Sequence, residues 1–204
     1  MKTRVVSAAD PHATTYALDV LHHQGLVAFP TDTVYGLAAA VFDPAGLDRL
    51  FAVKGRNQTK AIAVLLAELT QLDRVARDLP DRAKKLAAAF WPGPLTLVVP
   101  RAPGVPEVIS VDGTIGVRIP DHDLARKLIG LTGPLAVTSA NLSGAENTRT
   151  AEEVLAQLDG RIDLLLDGGR TPGGLPSTVV DCRSGELKIL REGPVSRDQI
   201  RAAA

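Results

Sequence analysis

The chain has 204 residues, 45% hydrophobic and 23% charged, a balance that fits one soluble globular domain or at most two small ones. Lys plus Arg equals Asp plus Glu at 23 each, so no net charge draws it to nucleic acid or membrane, and its single cysteine excludes an intramolecular disulfide and an all-cysteine zinc site. No run approaches the ~18 apolar residues of a membrane span, the N-terminus has no signal-peptide core, and the lone thiol points to a reducing, cytoplasmic compartment.

Taken in chain order, Asp10-Pro11 predicts a helix start, with Asp as N-cap and Pro in the first turn, and Gly25 ends that helix. Leu26 to Phe29 then reads as a short buried strand closed by Pro30. The polar cluster Thr31-Asp32-Thr33 follows it. Such a cluster is either a turn whose side chains cap a following helix or a ligand site at a strand end. Asp43-Pro44 predicts a second helix, through about Val53 and stopping near Gly55. Ala61 to Ala67 is a candidate strand, Pro80 to Phe90 a helix broken by "WPGP", and Leu95 to Val99 and Ile115 to Ile119 are strands. A helix follows Pro120, and Pro134 to Thr138 is a strand. Thr150 with Glu153 forms a capping box for a helix to about Leu158. "IDLLLDGG", "STVVDC" and "LKILREG" read as three more strands, the last two joined by the hairpin-type turn "RSGE". Ser196 with Gln199 is a second capping box, for a short terminal helix. No repeat or linker interrupts the pattern, so the expectation is one compact α/β domain over residues 1–204, built on a mixed sheet flanked by helices.

Polar loops stand at the ends of the apolar runs. They are Thr31-Asp32-Thr33, Lys54-Gly55-Arg56, the segment Thr138 to Gly144, Pro176-Ser177-Thr178, and Arg191 to Pro194. Arg118 adds a guanidinium inside an apolar strand, which calls for an anion: a carboxylate ligand or a structural Asp or Glu. Lys54 and Arg56, just past a helix, suit either a solvated helix cap or a polyphosphate clamp. The Ser, Asn and Gly of "TSANLSG" could build an Asx-type turn or offer backbone N–H groups to phosphate or adenine. Nucleotide-binding Gly-rich loops, "HExxH" and "GxSxG" are absent. No His stands at metal-ligand spacing, and Cys182, inside a predicted strand, reads as an inert buried thiol. An enzyme of this composition would work by positioning and electrostatics rather than a covalent nucleophile.

Seven segments in this order, "PTDTVYGL", "KGR", "WPGPLTLVV", "GVRIPDH", "LAVTSANLSG", "PSTVVD" and "ILREGPVS", closely resemble the YrdC-like family of threonylcarbamoyl-adenylate synthases. The resemblance spans Leu26 to Ser196 and is to the short, single-domain form. It implies a twisted open α/β sheet with a large concave, positively lined cavity. The implied reaction joins L-threonine, bicarbonate or CO2, and ATP into threonylcarbamoyl-adenylate with release of pyrophosphate. Other proteins then transfer the threonylcarbamoyl group to tRNA. The resemblance further implies that Lys54, Arg56 and Arg191 grip phosphates, with Lys60 facing the nucleotide. Ser139, Ala140, Asn141 and Ser143 would hold the nucleotide end, and Arg118 would take the threonine carboxylate, with Thr33, Thr138 and Ser177 completing that pocket. Mg²⁺ would arrive on ATP, with no protein metal ligand named. The chain departs from the pattern at Asn57 to Ala61, at Leu65, where relatives often carry histidine, and at Ala145 to Arg149.

Two other readings fit the same resemblance. One is a carbamoyltransferase domain making carbamoyl-adenylate from carbamoyl phosphate, which the chain's length and lack of zinc-finger cysteines disfavour. The other is a double-stranded RNA or tRNA-binding module, for which Lys54, Arg56, Lys60, Arg118 and Arg191 could form a local patch despite the neutral balance. No membrane partner is expected.

Overall fold

Ten strands form one mixed sheet in a computed structural model that describes residues 2–55, 61–110, 112–183 and 187–204. The strands are β1 (Arg4–Ser7), β2 (Val27–Phe29), β3 (Gly36–Ala40), β4 (Ala63–Leu65) and β5 (Leu95–Pro100). They continue with β6 (Thr114–Arg118), β7 (Leu135–Ser139), β8 (Leu164–Asp167), β9 (Thr178–Asp181) and β10 (Lys188–Arg191). Their spatial order is β1-β8-β2-β3-β7-β4-β6-β5-β9-β10. The pairs β1/β8, β2/β8, β4/β6 and β5/β9 are parallel, and the remaining neighbours are antiparallel. This is the mixed α/β sheet that the sequence predicts.

Among the described residues six α-helices lie on the sheet: α1 (Ala13–His22), α2 (Pro44–Lys54), α3 (Asp81–Phe90), α4 (Asp123–Thr132), α5 (Ala151–Leu158) and α6 (Arg197–Ala203). Alternation along each strand sorts side chains onto two faces. One face carries Ala28, Leu37, Ala39, Leu97, Ile115, Val117 and Leu165, packed with Leu50 of α2, Leu86 of α3, Val154 of α5 and Ile200 of α6. The other carries Val27, Phe29, Ala38, Leu135, Val137, Leu164 and Leu166 beneath Ala17 and Leu21 of α1 and Leu128 and Ile129 of α4. The two covering helices pack on each other.

Helix ends show which local signals hold. Asp43 accepts from Ala45 N at 3.2 Å with Pro44 in the first turn, and Gly55 closes α2 in the left-handed region at φ 57°. Ser196 and Gln199 make both bonds of their capping box. Thr150 accepts from Glu153 N at 3.3 Å, but Glu153 Oε2 takes Arg149 N at 2.6 Å, one residue ahead of the expected partner. Asp10 is not an N-cap: it accepts from His12 N at 2.8 Å in a turn that leads into α1, whose first helical residue is Ala13.

Two strands go beyond the sequence reading. In β1 only Val6 is buried, so no alternation announces it. In β3 the run of alanines gives no strand signal, and the preceding polar cluster caps no helix. Pairing with β2 on one side and β7 on the other makes it a strand. The expected hairpin between β9 and β10 is present as antiparallel pairing of Asp181 with Lys188, while Ser184 to Glu186 of its turn lie outside the described residues.

Candidate active site

Helices α1 and α4 cover only part of their face of the sheet. Beyond them a cavity of about 340 Å³ opens over β4, β6, β5 and β9. The alternation that sends Ile115 and Val117 into the opposite core turns Thr114, Gly116 and Arg118 into this cavity. Thr96 and Val98 of β5 stand on the same side, and Gly116 leaves room there: a Cβ on it would come within 3.2 Å of Thr96 Cγ2.

At one end lies the turn after β2. Thr31 Oγ1 donates to Val34 O at 2.7 Å and accepts from Thr33 N at 3.2 Å, so this hydroxyl builds the turn. Thr33, whose hydroxyl lies 3.0 Å from Thr31 Oγ1, lines the cavity. Gly173, of the loop before β9, rests on the turn so closely that a Cβ would lie 2.6 Å from Thr33 O and 2.7 Å from Asp32 O. Arg118 meets the turn from β6. Its Nε donates to Gly93 O at 2.9 Å, its Nη1 to Thr33 Oγ1 at 3.1 Å, and its Nη2 to Asp32 Oδ1. Burial pulls the guanidinium pKa down, and the Asp32 carboxylate opposes that pull.

Ser177 links this end to Arg191. Its hydroxyl shares a 2.7 Å bond with Thr96 Oγ1 and accepts from Arg191 Nη2 at 3.1 Å, while Arg191 Nε donates to Ser177 O at 3.0 Å. Further along, Asp112 accepts from Ser110 Oγ at 2.7 Å and from Thr114 Oγ1 at 2.5 Å, and the Thr114 hydroxyl holds its carboxyl below the usual carboxylate range. Arg183 pairs with Asp181 at 2.7 Å and reaches Asp112 at 3.4 Å.

The structure thus brings Thr33, Arg118, Thr138, Ser139, Ser177 and Arg191 into the lining of one cavity. Lys54 is elsewhere. Its position at a helix end suits a solvated cap or a phosphate clamp, but it is only 3% exposed, and its ammonium donates to Ser139 O, Asn141 O at 2.7 Å and Asn141 Oδ1 at 3.1 Å. The end of α2 is thereby fastened to the "SAN" loop, and Ser143 N donates back to Lys54 O at 3.0 Å. Ala140 is fully buried with its N–H on Tyr35 O, Asn141 Nδ2 donates to Ala145 O at 2.7 Å, and Ser143 is exposed. Arg56 and Lys60 lie outside the described residues. Leu65 lines the cavity beside Arg118, its partner in the β4/β6 register.

Several cavity groups were not singled out from sequence: Thr96, Ser110, Asp112, Thr114 and Arg183. Period-2 spacing links Thr114 to Arg118 in "TIGVR", a signal available for Thr114 alone. Cys182 matches its reading: it is buried, and burial pushes its pKa up to about 12. Among the described residues no group of His, Cys, Asp or Glu could hold a metal ion, and no helix is long and apolar enough to cross a membrane.

The threonylcarbamoyl-AMP synthase of Pyrococcus abyssi is 42% identical over 86% of this chain and 52% of its own length. A putative threonylcarbamoyl-AMP synthase of Mycobacterium tuberculosis is 36% identical over 97% of this chain and 94% of its own. The crystal structure of P. abyssi Sua5 complexed with L-threonine superposes with a TM-score of 0.91 at 39% identity, covering 93% of this chain and 56% of that one. The chain therefore spans about half the length of the P. abyssi proteins it matches. A family model, Sua5/YciO/YrdC, described as "Telomere recombination", matches residues 19–193, and with it the sheet, the cavity and the ordered motifs make this chain a member of the Sua5/YciO/YrdC family.

Proposed function

We propose that the protein forms L-threonylcarbamoyl-adenylate and pyrophosphate from L-threonine, bicarbonate or CO2, and ATP. The observation that carries this reading is the convergence of Arg118, Thr33, Thr138 and Ser177 on one cavity, with Arg118 bonded to Thr33 and Arg191 held on Ser177. A guanidinium fork beside hydroxyls suits an amino acid's carboxylate and side-chain hydroxyl. A second guanidinium beyond it suits the phosphates of ATP. The two substrates would then lie end to end in the cavity.

The chemistry needs no protein nucleophile. Threonine's amine adds to CO2, losing a proton, to give a carbamate. A carbamate oxygen attacks the α-phosphorus, the bond to the β-phosphate oxygen breaks, and pyrophosphate leaves with the electron pair. Protein groups contribute by holding two anions together and offsetting charge on the leaving group. Arg191, Arg56, Lys60 and Lys54 are the cations assigned to that task. The bonds of Lys54 to Ser139 and Asn141 add a second one: fixing the loop that would hold the nucleotide with Ala140 and Ser143. Mg²⁺ enters as part of the MgATP substrate, since it keeps waters and binds substrate phosphates. The product would pass to a tRNA threonylcarbamoyl-transferring protein in the cytoplasm, where the reduced state expected of Cys182 fits. The chain would act as a single domain, and direct contact with tRNA is not required.

The test is pyrophosphate release from MgATP with and without L-threonine and bicarbonate. Release that requires both is the expected result. Release supported by carbamoyl phosphate in place of both would overturn the proposal in favour of a carbamoyl-adenylate former, and no release under any condition would remove the activity altogether.

A further inference from the structure

The Arg118 end of the cavity is not a bare cation. Asp32 gives one carboxylate oxygen to Arg118 Nη2, and the two side chains are only 11% and 6% exposed. The other oxygen, Asp32 Oδ2, is buried and without a hydrogen-bond partner among the described residues. A buried anion with one satisfied oxygen is costly unless its charge is used, and here that charge lies against the guanidinium. His122, in the loop after β6, adds no second cation at neutral pH. Burial holds its pKa below that of an ordinary histidine, against the pull of Asp32, Asp123 and Asp121. Its Nδ1 is likewise buried and without a partner among the described residues. Arg118 and Asp32 thus cancel as a pair, with Arg191 the further cation that acts on Arg118 and Asp121 and Asp123 the further anions that act on His122.

This arrangement bears on selectivity. Three of Arg118's donor nitrogens are already engaged, by Gly93 O, Thr33 Oγ1 and Asp32 Oδ1, yet each terminal nitrogen keeps a second N–H. A carboxylate can thus still find the fork. An anion arriving there gains from Arg118 and is repelled by Asp32, whereas a zwitterion brings an ammonium whose charge offsets that repulsion. We propose that Asp32 makes the Arg118 end of the cavity selective for a zwitterionic α-amino acid over simple anions, so that phosphate-bearing and other small anions do not occupy the amino-acid site. Asp32 acts through Arg118 and is a positioning and selectivity residue, not a catalytic one. The inference rests on the amino-acid reading of this end of the cavity.

The test is calorimetric titration of the whole protein with L-threonine and with 2,3-dihydroxybutyrate, the analogue in which a hydroxyl replaces the amine. In the wild-type protein threonine binds, and its Kd is the same in chloride and in sulfate at matched ionic strength. In Asp32→Asn the preference for threonine over the analogue falls by about tenfold, as expected for loss of one charge a few ångströms from the ligand. Equal loss for both ligands in Asp32→Asn would reduce Asp32 to a structural support. A wild-type threonine Kd that climbs in proportion to sulfate would overturn the selectivity directly, and it needs no variant to fold. Failure of wild-type protein to bind threonine at all would instead remove the amino-acid reading itself, which separates the two ideas.

Discussion

Two halves of one sheet face behave differently. Over β2, β3, β7 and β8 the face is Val27, Phe29, Ala38, Leu135 and Leu164, sealed by α1 and α4. Over β4, β5, β6 and β9 the same face is Leu65, Thr96, Thr114, Gly116 and Arg118, and the cavity lies over it. Both halves have their opposite face in one continuous core. Strand and helix propensity therefore do not mark where function sits. What differs is the residue type at alternate positions: apolar side chains where helices cover the sheet, hydroxyls, a glycine and a buried charge where they do not. Leu65 and Val137 stand on the border, belonging to the covered cluster and to the cavity wall at once.

Damage to the sealed half should be felt as stability. Leu128→Ala removes a fully buried side chain of α4, and the expected cost is about 2–5 kcal/mol in denaturant unfolding, with both substrate KM values unchanged in the folded protein. A shifted threonine KM would mean that the two halves are mechanically coupled. The open half should respond in the reverse sense. Gly116→Leu places a side chain into cavity space above Thr96, so turnover should fall by about 100-fold while the melting temperature moves little. A large melting shift with normal turnover would show that this half, too, is core.

The comparison sharpens further with smaller changes. Arg118→Lys keeps the charge beside Asp32 but loses the fork, and should raise the threonine KM about tenfold with a smaller change for ATP. An equal rise for both would detach Arg118 from the amino acid. The smallest expected effect concerns Asp112. Its folded pKa is lowered, chiefly by the Thr114 hydroxyl, so its contribution to stability is present above the ordinary aspartate range and is lost as pH falls through the folded value. Asp112→Asn should flatten the acid limb of a melting-temperature profile between about pH 5 and 2, whereas an unchanged limb would assign acid sensitivity to other carboxylates.

Much of this was legible along the chain because it is local. Asp43-Pro44 with Gly55, and Ser196 with Gln199, cap helices by bonds between residues a few positions apart. The alternation in "TIGVR" and "LTLVV" is a property of the strand alone. Readings that failed or stopped short depend on distant partners. Lys54 resembles a solvated helix-end cation until α2 docks on β3 and the loop after β7 arrives to take its ammonium. The alanines of β3 carry no strand preference, and only β2 and β7 make them one.

Composition, periodicity and ordered motifs by themselves determined a mixed α/β sheet, a neutral charge balance, and six of the side chains that line the cavity: Thr33, Arg118, Thr138, Ser139, Ser177 and Arg191. Only the tertiary structure decided which cation stands where. Arg118 and Asp32 are 86 residues apart, and Lys54 and Ser139 85. Whether a buried charge is answered by a carboxylate or by carbonyls depends on which segments the sheet order brings together. That pairing is a property of space rather than of sequence distance, because the energy of a charge is set by what lies within a few ångströms of it.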